Sequence, residues 1–568
     1  MTCCGGNLQT RNSDRVKSIL RFITATAGSA RRDLTTLTLV FGIAFFQFLG
    51  RFPLMEPDEG RYAEIPREML ERGDFVTPLL NYVKYFEKPP LHYWLNALSL
   101  SVFGENEFAA RFPGTLCGLL TVLFTYHMGR KLFGRREGML AALVLGSATG
   151  FLVQSRINFI DMTLTFCMTA ALGCFLLASR PDEKRKGLYY YLFYIFAALA
   201  VLAKGLIGLV LPGAVIFLYL LICRRWRLLR EMRLLTGILL FLAVAAPWFV
   251  LVSLRNPEFA RFFFIHEHFE RFLTKVHGRY QPFWFFIPIL LLTMLPWSFF
   301  VPQALAKAWR ERKAPGGENL IYLILWAGFI FLFFSKSNSK LIPYILPVFP
   351  ALALLVGRLF CTILDGEELP ARVTMVLATI LCIVGLGAMV YPHVATRPDL
   401  SPVGGIVAGG IFLAEGVLAF VAVHYRDGQR LLLTLCAGGL LLAVVGPHFF
   451  YERISQRRAS SKELCLMVRK VAGPDTVVAS FGYEQGLPFY AQRRVIVVGG
   501  IGELEFGSKQ GDQSAWFMDM DRFVPIWDSS RPVVALLRQG DLDTLMSKSK
   551  TQVRILGEDR RKLLITNR

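Results

Sequence analysis

Residues able to do chemistry are concentrated in one polar stretch, Met55 to Trp94, MEPDEGRYAEIPREMLERGDFVTPLLNYVKYFEKPPLHYW. It carries Asp58, Glu59 and Arg61 near its start and Glu87 and Lys88 near its end, with Tyr62, Phe75, Tyr82, Tyr85, Phe86, Tyr93 and Trp94 between or beside them. Alternating acids and bases can hold a charged ligand. Interleaved aromatic rings suit a water–lipid boundary. Pro57, Pro66, Pro89 and Pro90 forbid one continuous helix. Short helices lying on the membrane are expected near Glu59–Glu71 and Leu91–Phe103. A plain solvated connection is the alternative, but the stretch exceeds the roughly 12–15 residues of an ordinary structureless loop.

Further ionisable residues stand where apolar runs begin or end. Asp161 opens a run in RINFIDMTLTF, Lys204 interrupts VLAKGLIG, and Lys336 and Lys340 bracket the turn in FFSKSNSKLIPYILPVFP. A charge at the centre of a span costs about 2.5–3.5 kcal/mol on insertion scales, so such residues mark pairs or sites. Lys204 could also snorkel to the interface; Asp161 is too short for that. The segment FARFFFIHEHFERFLTKVHGRYQPFWFF adds His266, His268 and Arg271. On a helix His268 and Arg271 share a face. His266 and His268 share one only on an extended strand. An amphipathic interfacial helix without a metal is the competing reading.

These residues are strung between apolar stretches long enough to span a bilayer. About thirteen candidate spans lie near 34–51, 107–130, 137–154, 160–179, 188–203, 205–223, 234–254, 283–305, 319–335, 341–362, 373–391, 403–423 and 431–450. With 54% hydrophobic and 18% charged residues among 568, and a mean hydropathy of +0.45, the chain reads as a polytopic α-helical membrane protein. The net charge of +21 fits attraction to anionic headgroups, and no nucleic-acid-binding motif accompanies it. Basic residues fill alternate loops: Arg130 to Arg136, Arg180 to Lys186, Arg224 to Arg233 and Lys307 to Lys313. Those loops and the basic arm 1–33 are expected in the cytoplasm, and the first loop, 52–106, outside.

After the spans of 34–451, residues 452–568 alternate β-rich runs (Thr476–Phe481, Arg494–Val498, Val533–Leu537, Val553–Leu556, Leu563–Thr566) with polar segments. A small α/β domain outside the membrane is expected. No Gly-rich phosphate loop is followed by Lys-Ser/Thr, which argues against ATP-driven transport. Most of the 10 cysteines fall in apolar runs, so no disulfide framework is implied.

PDEGRYAEIPREM, YFEKPPLHYWLNALS, the Asp161 turn, HEHFERFL and SKLIPYILPVFP together resemble the bacterial lipid A 4-amino-4-deoxy-L-arabinose transferase family. These are membrane glycosyltransferases of GT-C type, related to protein O-mannosyltransferases. The resemblance implies an inner-membrane enzyme with a periplasmic site. It would move aminoarabinose from undecaprenyl phosphate to lipid A phosphates and so lower surface negative charge. It implies catalytic roles for Asp58 and Asp161, and carrier-phosphate binding by Lys88, Arg271 and Tyr344. It also implies a divalent metal, zinc or similar, on Glu87 and one of His266 or His268. One carboxylate and one imidazole are few ligands for a typical zinc site.

The residue types suit this chemistry. A departing lipid phosphate gains negative charge that Lys88, Arg271 and Tyr344 would stabilise. A lipid A phosphate acceptor is already ionised, leaving Asp58 to orient the sugar or its amine. A hydroxyl acceptor, on protein or another lipid, would make Asp58 the base. A lipid flippase is the alternative outside the enzymes, but its site belongs at the membrane midplane.

Overall fold

The computed structural model describes residues 23–270, 281–396, 400–449, 461–559 and 562–568 and, of residues 266–270, the backbone alone. Each of the thirteen apolar stretches is helical. Nine helices among the described residues are long and apolar enough to cross a membrane: Glu107–Leu132, Ile160–Ala178, Lys186–Lys204, Leu234–Arg255, Gly317–Lys336, Ile342–Leu364, Ala371–Val394, Pro402–His424 and Gly428–Phe449. The remaining stretches are shorter or broken. Ala30–Phe46 and Ile207–Ile222 fall short of 18 residues. The stretch 137–154 divides into Arg135–Ser147 and Thr149–Gln154. Phe283–Thr293 and Trp297–Glu311 meet at a 115° bend, where Pro296 removes a backbone donor. Leu235, Leu254 and Ile383 stand exposed on the outside of the bundle, as lipid-facing side chains do.

The first loop folds into the two short helices its prolines allow, Asp58–Arg72 and Leu91–Phe103. Between them Leu79–Leu80 pairs antiparallel with Val83–Lys84 around Asn81 and Tyr82. Both turn residues have positive φ, +52° and +60°, a conformation Asn tolerates better than most. Docking holds it: the Asn81 side chain accepts from the Val495 N–H (3.0 Å) and donates to the Val495 carbonyl (2.9 Å).

Val495 stands just before a strand of a separate six-stranded sheet built from the end of the chain. Its order is Phe517–Met518, Ile496–Val498, Val477–Phe481, Val533–Leu537, Lys562–Thr566, Arg554–Asp559. The first four strands run parallel, and Lys562–Thr566 pairs antiparallel with both of its neighbours, Val533–Leu537 and Arg554–Asp559. The five expected runs are strands; Phe517–Met518, two residues long, is an addition. One face of this sheet shares a core with the first loop: Val478, Val497, Val534 and Leu536 cluster with Tyr62, Ile65, Met69 and Leu80. The tail domain therefore covers the loop that carries Asp58.

Candidate active site

Asp58 lies in the first turn of the helix Asp58–Arg72, where the positive end of the helix dipole favours a carboxylate. Its neighbour Glu59 is fully buried and fixes the helix in place. Glu59 takes a two-pronged contact from Arg111 (2.8 and 2.7 Å) and accepts the N–H groups of Asn158 (2.8 Å) and Met55 (2.9 Å). Arg111 spends its other donors on the carbonyls of Leu49, Phe52 and Pro53, so all five are used. A buried ion pair is stable only when saturated in this way. It joins the first loop, the span Glu107–Leu132 and the turn before Asp161.

Asp161 stands in the first turn of Ile160–Ala178 and is ion-paired with Lys204, the last residue of its own helix. The Lys204 ammonium lies over the Tyr344 ring, 4.3 Å from its centre, a cation–π contact. Lys88 donates to the Glu87 carbonyl (2.7 Å) and stands 3.9 Å from the Glu87 carboxylate. Asp58 pairs with Arg61 one turn along its helix. Arg61 is buried, reaches across to Glu503 of the tail domain, and donates to the Tyr85 hydroxyl (2.8 Å). Burial raises the Glu503 carboxyl above the usual carboxylate range, against the pull of Arg61. Burial likewise raises the Tyr62, Tyr85 and Tyr93 phenols, which stay protonated and can donate.

Asp58, Arg61, Glu87, Lys88, Asp161, Lys204 and Tyr344 all line one cavity of about 580 Å³. The rest of its lining is largely apolar and includes Leu152, Val153, Phe412, Leu442, Ala443 and Pro447 from the 149–160 segment and the spans Pro402–His424 and Gly428–Phe449. A charged chamber opening onto a greasy slot suits an amphiphile with an anionic head. Lys336 and Lys340 are not in its lining. Lys340 instead donates to the carbonyls of Gln281 (2.8 Å) and Ser337.

Arg271 lies outside the described residues, as do the side chains of His266 and His268; the helix Arg261–Glu270 is π-type in its backbone. Among the described residues no group of three or more His, Cys, Asp or Glu converges to hold a metal. Glu87 is the single described member of the expected metal set. The described donors do not compose a metal site, and no step of the mechanism is derived through one. Sequence reasoning named Glu59 and Arg61 only as charges of the polar stretch, without a role, and passed over Arg111 and Glu503. The spacing of Asp58 and Arg61, three apart on a helix, was a usable signal. Nothing local points Glu503 at Arg61.

Residues 87–251 match the dolichyl-phosphate-mannose-protein mannosyltransferase family, and residues 464–567 match the aminoarabinose transferase C-terminal domain. The undecaprenyl phosphate-alpha-4-amino-4-deoxy-L-arabinose arabinosyl transferase of Aeromonas hydrophila is 31% identical over 89% of this chain and 94% of its own length. The enzyme of that name from Edwardsiella ictaluri is 30% identical over 87% of this chain and 90% of its own. The chain belongs to the aminoarabinose transferase family. The crystal structure of ArnT from Cupriavidus metallidurans bound to undecaprenyl phosphate superposes with a TM-score of 0.82 at 30% identity, covering 94% of this chain and 98% of that one. An aminoarabinose transferase is thus a multi-pass GT-C membrane protein with its α/β domain seated on the first loop.

Proposed function

We propose that this chain transfers 4-amino-4-deoxy-L-arabinose from undecaprenyl phosphate to phosphate groups of lipid A at the periplasmic face of the inner membrane. The observation that carries this is the single cavity in which Lys88, Lys204 and Tyr344 stand with Asp58 and Asp161 at the head of an apolar slot. The slot takes the polyprenyl chain, where removal of apolar surface from water contributes about 25 cal/mol per Å². The phosphate rests among the cations. Basic residues on the loops at the opposite ends of the spans support a periplasmic site.

Transfer is an in-line displacement. A lipid A phosphate oxygen, ionised near neutral pH, attacks the anomeric carbon of the sugar. The bond between that carbon and the carrier phosphate oxygen breaks, and its electron pair stays with the carrier. Lys88, with Tyr344 as a hydrogen-bond donor, stabilises the charge gained on the leaving oxygen. Arg271 is assigned to the same phosphate by family resemblance. No proton is removed from the acceptor, so Asp58 serves to orient the sugar and its ammonium, held in place by Arg61. Asp161, ion-paired with Lys204, holds that side chain at the chamber.

The test is a reconstituted reaction with purified protein, synthetic undecaprenyl-phosphoryl aminoarabinose and lipid A, followed by mass spectrometry of all lipids and proteins. The expected product is lipid A with aminoarabinose in phosphodiester linkage. Sugar arriving on protein or another lipid, or crossing the bilayer unchanged, overturns the reading.

A further inference from the structure

The segment that follows Lys88 leads directly to a buried histidine that lies outside the cavity lining. His92 is the second residue of Leu91–Phe103 and is completely buried, yet both ring nitrogens are engaged. Nε2 lies 2.9 Å from Asn158 Oδ1, and Nδ1 lies 3.0 Å from Thr163 Oγ1. Asn158 is three residues before Asp161 and Thr163 two after it. The imidazole therefore bridges the two sides of the turn that delivers Asp161 to the cavity.

The network fixes the proton on one ring nitrogen. Asn96 Nδ2 donates to the His92 carbonyl (3.0 Å), which can only accept, so this end of the Asn96 amide is the nitrogen. The same Nδ2 lies 3.2 Å from the Asn158 side chain, which must present its oxygen. His92 Nε2 faces that oxygen and carries the proton. With the ring kept neutral by burial, Nδ1 accepts from the Thr163 hydroxyl. The ring is neutral with a defined tautomer, and burial pulls its pKa down to about 4. The Asn158 hydrogen bond and the Asp161 charge pull the other way and do not overcome burial, and the Tyr62 ring meets the imidazole edge-on at 5.7 Å. Asn158 also gives its N–H to Glu59 (2.8 Å), the neighbour of Asp58. One asparagine thus ties the Asp58 helix, the Asp161 turn and the helix after Lys88 into one rigid frame.

We infer that His92 is a positioning residue: as a neutral bridge between Asn158 and Thr163 it sets the placement of Asp161 relative to Lys88 and Asp58. The inference rests on the transferase reading above. It touches neither sugar nor phosphate, and its contribution is geometric. Reacting groups displaced by about 1 Å lose on the order of a hundredfold in rate.

The experiment is steady-state transfer to lipid A by His92→Leu, His92→Gln, Thr163→Val and Thr163→Ser, with binding of undecaprenyl phosphate measured separately. Leu removes both contacts. Gln keeps one donor toward Asn158. Val removes the Thr163 hydroxyl at constant shape, and Ser restores it. His92→Leu is expected to lose about ten- to a hundredfold in kcat, with KM for the donor and carrier affinity within about twofold of the unchanged protein. Gln and Ser are expected to recover most of the loss. Full kcat in both His92→Leu and Thr163→Val, or equal loss of kcat and carrier affinity without rescue, overturns the inference. If His92→Leu does not fold, the Thr163 pair decides alone. Absence of transfer by the unchanged protein overturns the transferase reading instead.

Discussion

Arg61 stands between carboxylates from two parts of the chain, Asp58 on its own helix and Glu503 in the tail domain. A guanidinium can address both with separate nitrogens, Nη2 and Nη1, and still donate to Tyr85. A lysine is a point charge on a flexible stem and cannot hold that fork. Arg61→Lys is therefore expected to lower kcat for transfer by about tenfold or more while leaving carrier affinity intact, a loss of at least ~1.4 kcal/mol of transition-state stabilisation. The reconstituted assay reads it; unchanged kcat would remove Arg61 from the account. At this scale the residues legible in the sequence were those in short dense motifs, Asp58, Glu87, Lys88 and Asp161. Glu503 was not legible, because it stands 442 positions from Arg61 and nothing in the surrounding GGIGELEFG points it at a partner. Lys336 and Lys340 show the reverse: charges flanking a turn between spans attract notice, and Lys340 is spent on carbonyls beside that turn.

Between elements, the first-loop helix and the tail domain meet in close backbone contact. A Cβ added at Gly60 would come within 2.8 Å of the Gly486 nitrogen and 2.9 Å of the Gln485 carbonyl carbon. Both are backbone atoms and cannot swing away. The Gly486 N–H also donates to Glu56 (2.7 Å), so the join is specific as well as close. Gly60→Ala should force the tail domain off the helix that carries Asp58 and Arg61. The expected cost is about 1–3 kcal/mol, as for other overpacked sites. Thermal unfolding and the transfer assay should fall together; an unchanged midpoint would mean the join yields freely. The helices themselves were legible because apolar length alone specifies a span. The 115° bend after Thr293 and the break at Ala148 were not, since Pro296 and the small residues 146–150 put no charge into the run and are also tolerated inside continuous spans. The strand Phe517–Met518 escaped notice because two residues show no alternation, and its pairing to Val497 and Val498 is set by the neighbouring strand.

For the whole molecule, the cavity is a composite. Its charged head comes from the first loop and from residues where spans begin or end. Its apolar slot comes from helices near the end of the spanning region, Pro402–His424 and Gly428–Phe449. The sequence carried the parts and the side of the membrane they share, but not the slot. Phe412, Leu442 and Ala443 look like any other span residues, and only the fold brings them to one cavity with residues of the 149–160 segment. The central claim is that this one chamber receives the lipid phosphate head-first, with the chain along that slot. The most direct measurement is an experimental structure of this protein with undecaprenyl phosphate bound. The account predicts the phosphate within hydrogen-bonding distance of Lys88 and Tyr344 and the isoprenoid chain against Phe412 and Leu442. A phosphate bound away from Lys88, or a chain leaving by another side of the bundle, would contradict it.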